Sequence, residues 1–277
     1  MEFWQKILNF LQAKMTTPTA FGWFHLLCIG IMLFAIYFLY KRKEKHSERQ
    51  LKSILLFYGL VVFILEVLKQ ISWSVNYDAF LSEFVWDYRW YAFPFQLCTT
   101  PMFVSLICIF LKKGKLRSFL LSYMAYTTIL GSVAIIIMPN NCLVSDILAN
   151  VHTMWLHMGS FVVSVYLLIS GEVKINIKEW AKSIPVFLGF MTIANILNIM
   201  VYNANVLQND SFNMFYISPY YVSSLPLFDV IQKNTPYVVF LAIYILALVL
   251  GSYLVYLIAN FSKKINQKFK QRNLPSK

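Results

Sequence analysis

The apolar positions of this chain fall into seven long runs, at residues 21–40, 53–74, 93–111, 118–137, 153–170, 184–202 and 236–258. Each is about 18–23 residues long, enough for a helix rising 1.5 Å per residue to cross a hydrocarbon core of ~30 Å. Backbone groups in lipid must be satisfied within their own segment, so helices are the form such runs take. Ahead of them, Trp4, Ile7, Leu8 and Leu11 recur at helical spacing, with Lys6, Asn9 and Gln12 opposite, and Thr16-Thr17-Pro18 ends the pattern. Residues 1–15 read equally well as a helix lying in the membrane interface or as a lead-in to the first span. The pattern predicts an all-α membrane protein forming one polytopic domain over residues 1–277. Its parts are an interfacial helix at 1–15, a seven-transmembrane-helix bundle at 21–258 and a basic tail at 259–277. Of the connections, residues 75–92 are acidic and aromatic. Residues 203–235 are too long for a plain connector and are expected to fold back over the bundle.

Composition agrees with the pattern. The chain is 59% hydrophobic and 13% charged, about half the charge of a soluble domain. The net charge of +12 changes the picture only through its distribution. Six Lys or Arg lie in 41–52, four in 112–117, three in 171–183 and six after 262, all on one side of the predicted spans. The other side carries Lys6, Lys14, Arg89 and Lys233. The positive-inside rule then puts the N-terminus outside and the C-terminus in the cytoplasm of a multi-pass cell-membrane protein. Basic blocks tied to span ends, without an aromatic-basic binding stripe, argue against a nucleic-acid partner. Cys28, Cys98, Cys108 and Cys142 form no C-x-x-C pair, which argues against a zinc site or a disulfide framework. Oligomeric state is not legible.

Polar residues within the runs are few, and they cluster in depth. His25 lies early in the first run. Glu66, Lys69 and Gln70 are in the outer half of the second, Gln96 and Cys98 enter the third, His157 is just inside the fifth, and Asn195 and Asn198 are in the outer half of the sixth. Polar groups at membrane depth are costly and face a bundle interior or a wet cavity. Each also has a plain reading. Glu66 and Lys69, at i and i+3, suit a structural ion pair. Asn195 and Asn198 suit hydrogen bonds between helices, and His25 a bond to a neighbouring helix or headgroup. Cys28 and Cys108 behave as small apolar residues. Cys98 with His157 is the pairing that carries chemistry: a thiol becomes a nucleophile when a base takes its proton.

The order Pro94-x-Gln96-Leu97-Cys98, Gly131, Pro139, Trp155-Leu156-His157-x-Gly159, Asn213-Met214-Phe215-Tyr216 and Thr235-Pro236-Tyr237, with His25 in the first run, resembles the YwaF-like integral membrane proteins of bacteria. More distantly it resembles the eukaryotic transmembrane protein 164 family. The likeness covers about residues 20–258. Those eukaryotic relatives are regarded as coenzyme A-independent lipid acyltransferases working through a membrane Cys and His. The resemblance thus implies transfer of a fatty acyl chain between outer-leaflet phospholipids, with Cys98 as nucleophile and His157 as base. Gln96 and Lys69 would stabilise the oxyanion, His25 would orient a headgroup or acceptor, and Glu66, Gln70, Asn195, Asn198 and Asn213 would support the cavity. No metal or soluble cofactor is required. Many bacterial relatives carry His where this chain has Gln96, so the whole base role falls on His157 here. Two other readings stay open, a transporter or small-molecule-binding protein using the same polar cavity and a haem- or quinone-binding protein using His25 and His157.

Overall fold

The computed structural model describes residues 2–272. Helix α1 (Glu2–Leu11) is followed by α2 (Trp23–Lys41) and α3 (Glu48–Ser74), then by the strands β1 (Val75–Asp78) and β2 (Glu83–Trp86). Next come α4 (Thr100–Phe110), α5 (Lys115–Tyr126), α6 (Ile129–Ile137), α7 (Ile147–Ile169), α8 (Ile177–Ala181), α9 (Ser183–Asn203), α10 (Phe228–Asn234) and α11 (Tyr237–Arg272). Six helical segments are long and apolar enough to span a membrane: Trp23–Lys41, Glu48–Ser74, Lys115–Ile137, Ile147–Ile169, Ile177–Asn203 and Tyr237–Lys268. The protein is therefore a multi-pass helical membrane protein. Helix α5 runs through its middle, with Tyr123, Met124, Ala125 and Tyr126 wholly buried, whereas α2, α9 and α11 turn Phe34, Met200 and Leu254 outward.

The third predicted run is the main correction. In place of a span over 93–111 there is a stretch of turns and then the 11-residue α4, about 16 Å of helix and half a membrane. The cause is local. Pro94 disfavours helix at the residue before it. Gln96 N–H then donates to Thr99 Oγ1 at 2.9 Å, and Thr99 Oγ1 donates back to the Gln96 carbonyl at 2.9 Å. Pro101 falls in the first turn of α4, where a missing N–H costs nothing. The predicted fourth span is broken too. Thr128 Oγ1 donates to the Met124 carbonyl at 2.9 Å, competing with the ladder between α5 and α6.

The basic loops gather at one end. Arg117 Nη1 donates to Glu48 Oε1 at 2.5 Å and Arg117 Nη2 to Glu48 Oε2 at 3.0 Å, with Glu172 Oε1 at 3.4 Å. His46 lies 2.8 Å from the Tyr166 hydroxyl and 3.2 Å from Glu172 Oε2. The expected basic tail continues α11 as far as Arg272, and residues 273–277 lie outside the described residues.

The opposite end is built from connections. Helix α1 is shorter than the expected 1–15. Gln12 Nε2 ties its end to the Ser72 and Val75 carbonyls at 2.8 and 2.9 Å, and Phe3, Trp4 and Phe10 stay exposed, as suits a membrane interface. Residues 75–86, read as loop, form a hairpin paired from Val75↔Trp86 to Asp78↔Glu83. The 203–235 stretch folds back as expected and goes further. It drives Phe212, Met214, Phe215 and Ile217 into full burial between the helices.

Candidate functional site

Helical spacing sets Glu66, Lys69 and Gln70 on one face of α3. Glu66 is 3% exposed, so its charge needs partners. Lys69 Nζ lies 2.8 Å from Glu66 Oε1, and Gln70 Nε2 donates to that oxygen at 2.6 Å and to the Ala92 carbonyl at 2.6 Å. The third partner is His152 on α7, with Nε2 2.7 Å from Glu66 Oε2. That approach lies outside the angles of a hydrogen bond, so it is an ion-pair contact made when the imidazole is charged. His152 escaped the sequence reading because it falls one residue before the predicted fifth run. The Ser145-Asp146 pair, a helix-start signal, would have moved the start of α7 back to Ile147.

Cys98 lies in the turn just before α4, half-buried against the main core. Its position follows from the failure of the third span: the chain comes from the loop-rich end, turns at 93–99, and starts its helix only at Thr100. Glu66, Lys69 and Cys142 lie within electrostatic reach of the thiol, and so do the hydroxyls of Tyr58, Tyr123, Tyr216 and Tyr244. The Tyr58 hydroxyl donates to the Leu156 carbonyl at 3.1 Å. Its ring fits against α7 only because residue 159 is glycine, where a Cβ would come within 2.9 Å of the ring.

No hydrogen bond joins His157 to Cys98 among the described residues. The His157 ring rests against α6, where a Cβ on Gly131 would lie 4.0 Å from Cε1 and Nδ1. His25 is held from its own end of α2. It has no exposed surface, its Nδ1 accepts from Phe21 N–H at 3.2 Å, and its Nε2 has no partner among the described residues.

The amide residues hold the inserted loop. Gln96 Nε2 donates to the Asn213 carbonyl at 3.0 Å, and Gln96 Oε1 accepts from Phe215 N–H at 2.7 Å. Asn198 brackets Met214, donating to its carbonyl at 3.0 Å and accepting from its N–H at 2.7 Å. Asn213 Oδ1 accepts from Ser218 N–H at 2.8 Å, and Asn195 Oδ1 accepts from the Tyr237 hydroxyl at 2.8 Å. The Tyr244 hydroxyl adds a bond to the Phe215 carbonyl at 2.8 Å. These clamps hold Phe215 and Tyr216, both at φ 58°, a conformation costly for bulky side chains. Burial pushes the Tyr216 phenol pKa well above its ordinary value, which keeps it a hydrogen-bond donor. Nothing but the Asn213–Tyr216 motif marked this tyrosine in the sequence.

The described residues contain no group of three His, Cys, Asp or Glu able to hold a metal ion. The site thus brings a half-buried thiol within electrostatic reach of a buried carboxylate that Lys69, Gln70 and His152 share. A search of curated proteins and one of solved structures return no match. A family model matches residues 15–256, from the end of α1 to well into α11, and so takes in Cys98, the Glu66 cluster and the loop clamps together: this chain belongs to the TMEM164 family.

Proposed function

We propose that the protein transfers fatty acyl chains between membrane lipids through a thioester on Cys98. The observation that carries the reading is the position of that thiol: before the first turn of a half-length helix, within electrostatic reach of Glu66 and Lys69. Family membership supports the reaction class, because relatives in this family are regarded as Cys-dependent lipid acyltransferases.

In this reading the Cys98 proton passes to the Glu66–His152 pair, and Lys69 and the positive end of α4 favour the thiolate. The sulfur attacks the ester carbonyl of a phospholipid, and Tyr216 donates to the oxyanion. As the C–S bond forms, the ester C–O bond breaks, and the pair returns the proton to the leaving lysolipid alkoxide. An acceptor hydroxyl then loses its proton to the pair and attacks the thioester, and the departing Cys98 sulfur is reprotonated. His157, whose ring rests against α6, is the alternative base in this reading. With the basic end cytoplasmic, Cys98 would act on lipids of the outer leaflet of the cell membrane.

Acyl exchange between phosphatidylcholine and an isotope-labelled lysophospholipid tests this with purified protein in detergent. Exchange is expected to vanish in Cys98→Ala and to survive in Cys142→Ala. Unchanged exchange in Cys98→Ala refutes the thioester. A second reading, binding without chemistry, predicts lipid retention with no exchange in any variant.

A further inference from the structure

Far from Cys98, at the basic end, lies a cleft of ≈ 850 Å³ between α6, α7 and α11. At Gly251 a Cβ would stand 3.0 Å from Leu130 Cδ1, so α11 and the start of α6 touch there, and nearer the basic end the cleft separates α11 from α7. The walls are apolar, including Val133, Phe161, Val165, Val255 and Ile258. The rim toward the basic end carries Lys43, Lys174 and Lys263 with Asn176 and Asn266, and no carboxylate lines it. Among the described residues none of these three lysines reaches a carboxylate within ion-pair distance. Lys43 instead sits 3.7 Å over the Tyr40 ring, which also lines the cleft. Elsewhere at this end Arg117 is matched by Glu48 and Glu172, and Lys182 by Glu179, whereas these three lysines are gathered around one apolar cleft.

We infer that this cleft binds one anionic phospholipid of the leaflet at the basic end, its chains against the apolar walls and its phosphate among Lys43, Lys174 and Lys263. Charge complementarity carries the argument. A trench with apolar walls at bilayer depth is filled by acyl chains, since lipid is the solvent there. Three unmatched lysines at its mouth select a negative headgroup, and basic pockets between membrane helices are suited to such lipids. The cleft lies at the other end of the bundle from Cys98, so this inference stands or falls independently of the thioester reading.

The test uses full-length protein, delipidated in detergent and titrated with phosphatidylglycerol, with phosphatidylcholine of the same chains, and with glycerol phosphate. Bound lipid is counted by native mass spectrometry. One phosphatidylglycerol is expected to be retained in preference to phosphatidylcholine, with each of Lys43→Ala, Lys174→Ala and Lys263→Ala weakening it about five-fold. Ala259→Phe, which fills the cleft, is expected to weaken retention while leaving thermal unfolding in lipid-free detergent unchanged. Equal retention of the two lipids, or lysine variants that bind phosphatidylglycerol as tightly as the parent, overturns the inference. Binding of glycerol phosphate as strong as that of the lipid also overturns it, in favour of a soluble anion.

Discussion

Each end of the bundle buries one charged group that would be intolerable alone, and the two are handled differently. At the basic end, Arg117 is 3% exposed and meets both oxygens of Glu48 in a fork, with Glu172 behind. That geometry is bidentate and oriented, and it ties the loop before α3 to α5 and to the turn after α7. At the loop-rich end, Glu66 is equally buried but is shared among Lys69, Gln70 and His152, with one contact off the hydrogen-bonding direction. A forked guanidinium has nowhere to send a proton, since Arg stays charged. A carboxylate between an imidazole and an ammonium, next to a thiol, has several places. The first arrangement holds loops together; the second suits proton transfer.

The contrast breaks most readily at the basic end. Arg117→Ala leaves Glu48 and Glu172 without their buried partner, and removing one member of such a pair costs about 3–5 kcal/mol. Thermal unfolding in detergent should show that loss, while any acyl exchange by the folded fraction persists. Next in size is the loop clamp. Asn198→Leu strips Met214 of both its bonds, at about 1–3 kcal/mol for each group left unpaired. Hydrogen exchange should quicken over 212–217 and leave α5 unchanged. Uniform quickening would mean that the loop and the core open as one unit. Glu66→Gln keeps an amide hydrogen bond within the cluster but leaves buried Lys69 without its carboxylate, at about 1–3 kcal/mol. Its effect on acyl exchange should nonetheless be about a hundredfold or more, the usual weight of acid–base catalysis. A variant as active as the parent would reduce Glu66 to a structural ion pair.

Hydropathy located α2, α3, α7, α9 and α11 closely because lipid-facing residues impose a length and an apolarity that few other constraints disturb. It failed at 93–99, where the decisive interactions are the reciprocal bonds between Gln96 and Thr99 and the backbone limits set by Pro94. An apolar average over the run cannot register either. Shared depth did bring Glu66, Lys69 and Gln70 into one cluster, because i, i+3, i+4 spacing is intrinsic to a helix. Depth fixes position along a helix, whereas the direction a side chain takes depends on which helix lies next to it. For the same reason Gln96, Asn198 and Asn213 were read as parts of a cavity and turn out to grip the backbone of 213–218. The main-chain partners of Gln96 and Asn198 lie 16–119 positions away, which no local pattern announces. His152 was lost to a span boundary set a few residues too late.

The central claim is that Cys98 carries an acyl chain. Intact mass of the purified protein after incubation with phosphatidylcholine tests it most directly. The account predicts a mass gain of one fatty acyl group that hydroxylamine removes, that maps to the peptide holding Cys98, and that is absent in Cys98→Ala. An adduct that persists in Cys98→Ala, or no adduct in protein that exchanges acyl chains, would contradict it.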